Sequence, residues 1–140
     1  MSIEENKVIA RKFVECLSRG DIEGLVSTIG EDVIFETMGS SIMSRRRSRA
    51  ELPLAYRTIL AACPDGVRLT IRSITAEDDR VSVEAQGSAM AVSGKSYNNQ
   101  YHFLFLIRDG KVRELREYVD TKLLDEIFGP LLKSDPTLSA

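Results

Sequence analysis

A carboxylate in the first apolar strand segment, Glu36, has surroundings that suit proton-transfer chemistry. In the run Val-Ile-Phe-Glu-Thr-Met, strand alternation would place it on one face with Ile34 and Met38. A carboxylate among apolar groups has a raised pKa, which suits it to remove a proton next to a carbonyl group. In the alternative orientation, Val33 and Phe35 point inward and Glu36 is solvated.

The single histidine, His102, is a second candidate for proton transfer. It lies between Tyr101 and Phe103 in the most apolar strand of the sequence, on the face of Leu104. An imidazole directed into a pocket could donate a hydrogen bond to a developing enolate or move a proton. The alternative is a histidine packed in the core or at an interface.

The end of the last strand carries the third candidate, Asp120. Alternation places Glu117 and Val119 on one face and Tyr118 and Asp120 on the other, so only one pair lines a pocket unless the strand bulges. Asp120 also precedes Thr-Lys-Leu-Leu, which is typical of a helix N-cap. We therefore expect Asp120 to act as a cap, as a catalytic acid or base, or as both.

The elements that must position these residues follow in the order helix, helix, strand, helix, and then four strands joined by hairpins. Helices gathered early and antiparallel strands late predict an α+β fold rather than α/β. A break in alternation predicts a β-bulge near Arg72–Ser73. A short closing helix is expected from Asp120 to Phe128, ended by Gly129-Pro130.

Length and composition exclude several functional classes. A chain of 140 residues with net charge −2 predicts one domain, 1–140, with its core at about 4–128 and a tail at 129–140. One histidine and two distant cysteines, Cys16 and Cys63, cannot build a common zinc site or a disulfide framework. The sequence has no basic excess that would indicate a nucleic-acid-binding protein. It also has no apolar run of 18 residues that would indicate a membrane-spanning segment. We expect a cytoplasmic protein with no metal and no cofactor.

The densest charge run is the arginine cluster Arg45–Arg49, which contains four arginines. A solvated loop face is the ordinary interpretation of such a run. The alternative is that it meets a phosphate or carboxylate tail at the mouth of a pocket.

Several strings resemble the nuclear transport factor 2-like superfamily, which includes ketosteroid isomerase, limonene epoxide hydrolase and the SnoaL-type polyketide cyclases. They are Gly20-Asp-Ile-Glu-Gly-Leu, Gly30-Glu-Asp-Val-Ile-Phe-Glu, Arg108-Asp-Gly-Lys-Val and Arg116-Glu-Tyr-Val-Asp-Thr. The resemblance implies a cone-shaped barrel, in which a curved antiparallel or mixed sheet wraps around three N-terminal helices and a short C-terminal helix follows. The pocket of such a barrel is the hollow between the sheet and the helices.

The resemblance also implies roles for individual residues. Alignment on Gly39 puts Glu36 at the isomerase base, and the position of the isomerase tyrosine falls on Phe13. Reading the strand back from the Asp109-Gly110 turn puts His102 near the second oxyanion donor. Asp120 matches the last Asp of the epoxide hydrolase trio and the acid/base of the cyclases. The predicted catalytic residues are thus Glu36, His102 and Asp120, and the predicted pocket lining is Phe13, Leu17, Ile34, Met38, Tyr56, Leu104, Glu117 and Tyr118.

The function implied is binding of a small hydrophobic, carbonyl-bearing molecule, with cofactor-free proton transfer by an isomerase or cyclase. The alternatives are a non-catalytic ligand-binding or protein-assembly module of the same fold, or an epoxide hydrolase-like enzyme. The strand at 102–107 is apolar on both faces, so we also expect a homodimer formed through the sheet.

Overall fold

The first helices begin and end where side chains can satisfy their backbone groups. The computed structural model describes residues 2–138. Helix α1 (Ile3–Arg19) opens with a capping box, in which the Glu5 amide donates to Ser2 Oγ and the Ser2 amide donates to Glu5 Oε2. It ends at Gly20, whose φ of 72° is in the left-handed region. Asp21 caps the short helix α2 (Ile22–Val26).

Six strands form one mixed sheet in the order β2-β1-β6-β5-β4-β3. Strand β1 runs parallel to β6, and the other neighbours are antiparallel. The sheet is not closed, because β2 and β3 lie at its two edges. The strand bounds are β1 (Ile29–Thr37), β2 (Arg46–Arg47), β3 (Arg68–Glu77), β4 (Arg80–Ser88), β5 (Gln100–Arg108) and β6 (Lys111–Val119).

Two further helices cover the sheet. A single 3-10 turn at Arg49–Glu51 leads into α3 (Leu52–Ala62), and α4 (Thr121–Ser134) follows the last strand. The core lies between α1 and the inner face of the sheet, where the rings of Phe13 and Phe105 meet edge to face at 5.3 Å. A second cluster joins α4 to the end of α3 and to the loop before β5.

The predicted α+β architecture and the order of its elements are confirmed. The predicted bulge is also present, since the register of β3 against β4 shifts between Ile71 and Ser73. Strand β2, in the arginine cluster, was not predicted, because two residues are too short to show alternation.

The predicted end of the last helix is wrong. Helix α4 continues through Gly129 and Pro130 to Ser134. Proline removes one backbone hydrogen bond, yet Leu131 and Leu132 still pack against the second cluster and hold the last turn in place. Residues 139–140 of the predicted tail lie outside the described part of the chain.

The outer face of the sheet carries Leu104 and Leu106 at its centre, and Ile34 and Tyr118 are both 42% exposed. A homodimer through this face stays a prediction, which sedimentation equilibrium would test. Within residues 2–138, no helix combines the length and apolarity needed to cross a bilayer.

Candidate active site

A cavity of about 110 Å³ lies between the inner face of the sheet and the four helices. Its walls are mainly apolar, and a cavity of about 150 Å³ accommodates benzene, so this one has the scale of a single ring. The apolar lining side chains are Phe13, Leu17, Ile22, Leu25, Phe35, Met43, Leu52, Ala55, Ile59, Val67, Leu69, Phe103, Leu124 and Phe128. The polar ones are Thr37, Arg47, Tyr56, Tyr97, Tyr101 and Glu117.

Glu117, on β6, is the one acid among the described residues that line the cavity. It is positioned by the strand pair β5–β6, in which it lies opposite Phe103. Burial raises the pKa of Glu117 to about 7, and the positive charge of Arg47 opposes this rise only in part. A carboxyl group with a pKa near 7 can accept or release a proton at neutral pH.

The second charged group in the cavity is Arg47, on the edge strand β2. It is 3% exposed, and its guanidinium donates from Nη1 to Thr37 Oγ1 at 3.0 Å and from Nη2 to the Met43 carbonyl at 2.8 Å. Burial is the main cause of its lowered pKa, and Arg45 contributes in the same direction. These bonds hold Arg47 against the cavity and apart from its exposed neighbours Arg45 and Arg46.

Two tyrosine hydroxyls, one on β5 and one in the loop before it, form a hydrogen-bonded group in the cavity. Tyr101 Oη donates to Tyr97 Oη at 3.4 Å, and the buried Asn99 donates to Tyr97 Oη at 3.3 Å. Burial is the main cause of the raised pKa of both tyrosines, and the charge of Glu117 adds to it. Both hydroxyls therefore stay protonated at neutral pH and can act as hydrogen-bond donors.

Asn99 ties this hydroxyl group to the end of the last strand. Its Nδ2 also donates to the Asp120 carbonyl at 3.0 Å, and its Oδ1 accepts from the amides of Gln100 and Asp120 at 2.7 and 3.0 Å. An amide with partners at both ends has one orientation. The position of the Tyr97 hydroxyl is therefore fixed by backbone on two elements.

Glu36 lies on the opposite face of β1 from the cavity. Val33, Phe35 and Thr37 point inward, which is the alternative orientation considered for this strand. Its carboxylate pairs with the exposed Arg46 at 3.4 Å. The orientation with Phe35 inward prevails because a phenyl ring gains more from burial than a carboxylate does.

The structure does not bring His102 or Asp120 to the cavity either. His102 is exposed on the outer face of β5, where it hydrogen-bonds Ser82 and its ring meets that of Tyr118. Asp120 caps α4 by accepting from the amides of Lys122 and Leu123. The inward positions of β5 are instead the odd-numbered ones, which include Phe103.

The predicted lining divides equally. Phe13, Leu17, Tyr56 and Glu117 line the cavity, whereas Ile34, Met38, Leu104 and Tyr118 do not. Ile34, Leu104 and Tyr118 lie on the outward faces of their strands, and Met38 follows the last residue of β1.

Comparison with known proteins adds the family. A model of the SnoaL-like domain matches residues 10–115, which is more than half of the chain. The chain belongs to the SnoaL-like domain family. No curated protein matches this sequence significantly. The wider nuclear transport factor 2-like superfamily, expected from the sequence strings, is confirmed by this match and by the solved structures that share the fold.

Three solved structures show how closely this SnoaL-like domain follows the fold. AclR, a putative hydroxylase from Streptomyces galilaeus, is 23% identical, with 92% of this chain and 83% of AclR covered and a TM-score of 0.75. TerC, co-crystallised with polyporic acid, is 21% identical over 89% of this chain and 98% of its own, with a TM-score of 0.78. An NTF2-like protein from Burkholderia xenovorans is 25% identical over 91% and 98%, with a TM-score of 0.74.

Four polar residues that line the cavity of this SnoaL-like domain were not predicted as lining residues: Thr37, Arg47, Tyr97 and Tyr101. Tyr101 could have been found, because it shares alternation with Phe103 and Phe105, the bulkiest apolar residues of that strand. Arg47 offered no such signal among four arginines. Among the described residues, no group of three or more His, Cys, Asp or Glu side chains could hold a metal ion.

The raised pKa of Glu117 predicts that the folded SnoaL-like domain loses stability as pH rises from about 4.5 to about 7. Over this interval the folded state binds more protons than the unfolded state, so the free energy of unfolding falls with pH. The loss should be about 3 kcal/mol, since one pKa unit corresponds to about 1.4 kcal/mol. Guanidinium denaturation at both ends of the interval should show this loss in the wild type and not in Glu117→Gln. Equal losses in the two proteins would contradict it.

Proposed function

We propose that this SnoaL-like domain binds a small, mostly apolar, carbonyl-bearing molecule and that Glu117 moves a proton on it. The observation that carries the proposal is the carboxyl group of Glu117, which has a pKa of about 7 and is the one acid among the described residues of a largely apolar cavity that also holds tyrosine hydroxyls. A base of this pKa is matched to work at neutral pH. We therefore assign to Glu117 the role of general base that was first considered for Glu36 and Asp120.

The reaction begins with ionised Glu117 taking a proton from the carbon next to the carbonyl group. The electron pair of that C–H bond moves into the carbonyl group, and the negative charge gathers on its oxygen. A hydroxyl of the Tyr97–Tyr101 pair donates to this oxygen and stabilises the enolate. In a ligand with a neighbouring carbon–carbon double bond, return of the proton from Glu117 to the far carbon of that double bond completes an isomerisation. In a ligand with a second carbonyl group, the enolate carbon attacks that group and forms a ring, and the alkoxide produced takes the proton from Glu117. In both reactions, the groups that move protons or stabilise charge are side chains of the protein.

The relatives support a small organic molecule as the ligand. TerC was co-crystallised with polyporic acid, and AclR is described as a putative hydroxylase. These proteins share the fold with this chain at less than a quarter sequence identity. These relatives therefore support a small organic molecule as the class of ligand. The proposed reaction is argued only from the residues described above.

Deuterium exchange tests the proposal without knowledge of the natural substrate. Small cyclic ketones, such as cyclohexanone and cyclohexane-1,3-dione, are incubated with the protein in D₂O, and the loss of the α-proton NMR signal is followed. We expect the wild type to speed exchange of at least one ketone above the rate in buffer at equal pD. A ketone that raises the melting temperature but shows no faster exchange would support a binding module instead.

A further inference from the structure

The two tyrosine hydroxyls in the cavity make different hydrogen bonds. A phenolic hydroxyl has one proton to donate and two lone pairs that can accept. Tyr97 Oη accepts twice, from Asn99 Nδ2 at 3.3 Å and from Tyr101 Oη at 3.4 Å. Both lone pairs of the Tyr97 oxygen are therefore occupied, and the proton of Tyr101 is already directed at Tyr97.

The proton of Tyr97 is the one that a ligand can use. Within residues 2–138, the Tyr97 hydroxyl accepts hydrogen bonds but donates none. The side chain is 2% exposed and lines the cavity, so bulk water does not surround this donor. A buried donor without an acceptor is unfavourable, and an acceptor oxygen on a bound ligand would satisfy it.

The Tyr97 side chain is held at both its oxygen and its ring. Asn99, which donates to the oxygen, is itself fixed, because its Nδ2 also donates to the Asp120 carbonyl and its Oδ1 accepts from the Gln100 and Asp120 amides. The ring meets that of Phe128, on α4, edge to face at 5.5 Å. With the ring fixed and both lone pairs occupied, the O–H bond of Tyr97 has one remaining direction.

The proposed base lies at the same end of the cavity as this hydroxyl pair. The charge of Glu117 contributes to the raised pKa of both Tyr97 and Tyr101, so the carboxyl group is near both hydroxyls. Ionised Glu117 takes the proton from carbon, and Tyr97 keeps its own proton throughout as a hydrogen-bond donor. The two roles therefore do not compete.

We propose that Tyr97 is the hydroxyl that donates to the carbonyl oxygen of the ligand, and that Tyr101 and Asn99 position it. This inference rests on the proposed function in one respect, which is that the carbonyl group of the ligand enters this cavity. Hydrogen bonds in a chain polarise one another, so the bond that Tyr101 donates makes Tyr97 a stronger donor. Tyr97 is then the catalytic residue of the pair, and Tyr101 acts through it.

Tyr97→Phe and Tyr101→Phe form a matched pair of variants, because each removes one oxygen atom and keeps the ring. Deuterium exchange is measured on the ketone that the wild type exchanges fastest. We expect Tyr97→Phe to slow exchange by about 10²- to 10³-fold, which is the usual effect of losing one oxyanion donor. Tyr101→Phe should slow it by no more than about tenfold, since it removes one long, neutral hydrogen bond.

The double variant tests whether Tyr101 acts through Tyr97. Once the Tyr97 hydroxyl is absent, removal of the Tyr101 hydroxyl should change the exchange rate by less than about twofold. Losses that multiply in the double variant, or a larger loss in Tyr101→Phe than in Tyr97→Phe, would overturn the inference. Wild-type exchange in both single variants would also overturn it, while Glu117 would remain the proposed base.

Carbon-13 NMR of cyclohexanone labelled at its carbonyl carbon detects the same hydrogen bond without catalysis. A hydrogen bond to the carbonyl oxygen moves the carbonyl signal downfield. At saturation, we expect the signal of the bound ketone to lie farther downfield in the wild type than in Tyr97→Phe, with Tyr101→Phe between them. Equal positions in the wild type and Tyr97→Phe would overturn the inference. The downfield signal without faster deuterium exchange would support the inference and count against the proposed reaction alone.

Discussion

Replacement of Glu117 by glutamine should lower the rate of deuterium exchange by about 10²- to 10⁴-fold. The amide keeps the shape of the carboxyl group but cannot accept a proton from carbon. The cavity should stay intact, since glutamine resembles the protonated form that burial favours. The rate is measured by NMR on the ketone that the wild type exchanges fastest, with folding checked by circular dichroism.

Glu36→Gln is the matched control for this experiment. It makes the same chemical change on the same sheet, but on the outer face, where Glu36 pairs with Arg46. We expect its exchange rate to remain within about twofold of wild type, because Glu36 lies outside the cavity and its ion pair with the exposed Arg46 contributes little. A large loss in Glu36→Gln, with normal exchange in Glu117→Gln, would return the base to the strand face favoured by sequence alone.

Replacement of Phe105 by alanine should lower the free energy of unfolding by about 3–5 kcal/mol. Its ring is fully buried and contacts Phe13 edge to face at 5.3 Å, beside Phe103. The loss combines the lost burial of the ring with the void it leaves, and it should lower the melting temperature by about 10–17 °C. Urea denaturation of the two proteins at one pH gives the difference.

His102→Ala tests the opposite face of the same strand. His102 is exposed, and its ring nitrogen forms a hydrogen bond with Ser82. Replacement of His102 by alanine should therefore change the free energy of unfolding by no more than about 0.5 kcal/mol. The pair of variants thus reports which face of β5 is inside. Similar losses in both variants, or a larger one in His102→Ala, would show that Tyr101 and Phe103 do not face the cavity as described.

The fold was predictable because its signals are local. The capping pairs Ser2–Glu5 and Ser48–Glu51 mark helix starts, and Asp109-Gly110 marks the last hairpin; each operates within a few residues. The N-cap role expected for Asp120 is present for the same reason. The break in alternation at Arg72–Ser73 likewise appears in the structure as a shift in register.

The site was harder to predict because two strands are apolar on both faces. In β1, Ile34 and Phe35 compete for the inside, and in β5, Phe103 and Leu104 do so. The two-residue alternation of a strand shows that successive side chains lie on opposite faces, but it does not show which face is buried. A shift of one residue exchanges all the buried side chains for the exposed ones. The large rings of Phe35 and Phe103 show which strand face is buried only once the packing of the sheet against α1 and α2 is known.

The inward position of Arg47 is likewise not encoded in its local sequence. It lies in a run with Arg45 and Arg46, which are exposed, and only pairing of β2 with β1 turns it inward. The interaction of Arg47 with Glu117 joins residues seventy positions apart in sequence. Such a contact depends on the sheet order, in which β6 lies beside β1 and β1 beside β2.

The proposed function depends on the carboxyl group of Glu117 exchanging its proton near neutral pH. Carbon-13 NMR of protein labelled at the glutamate side-chain carboxyl carbons measures this directly, with Glu117→Gln used to assign the resonance. We expect one glutamate that titrates near pH 7 and is missing from the spectrum of the variant. Titration of every glutamate, Glu117 included, at ordinary values near about 4.3 would contradict it.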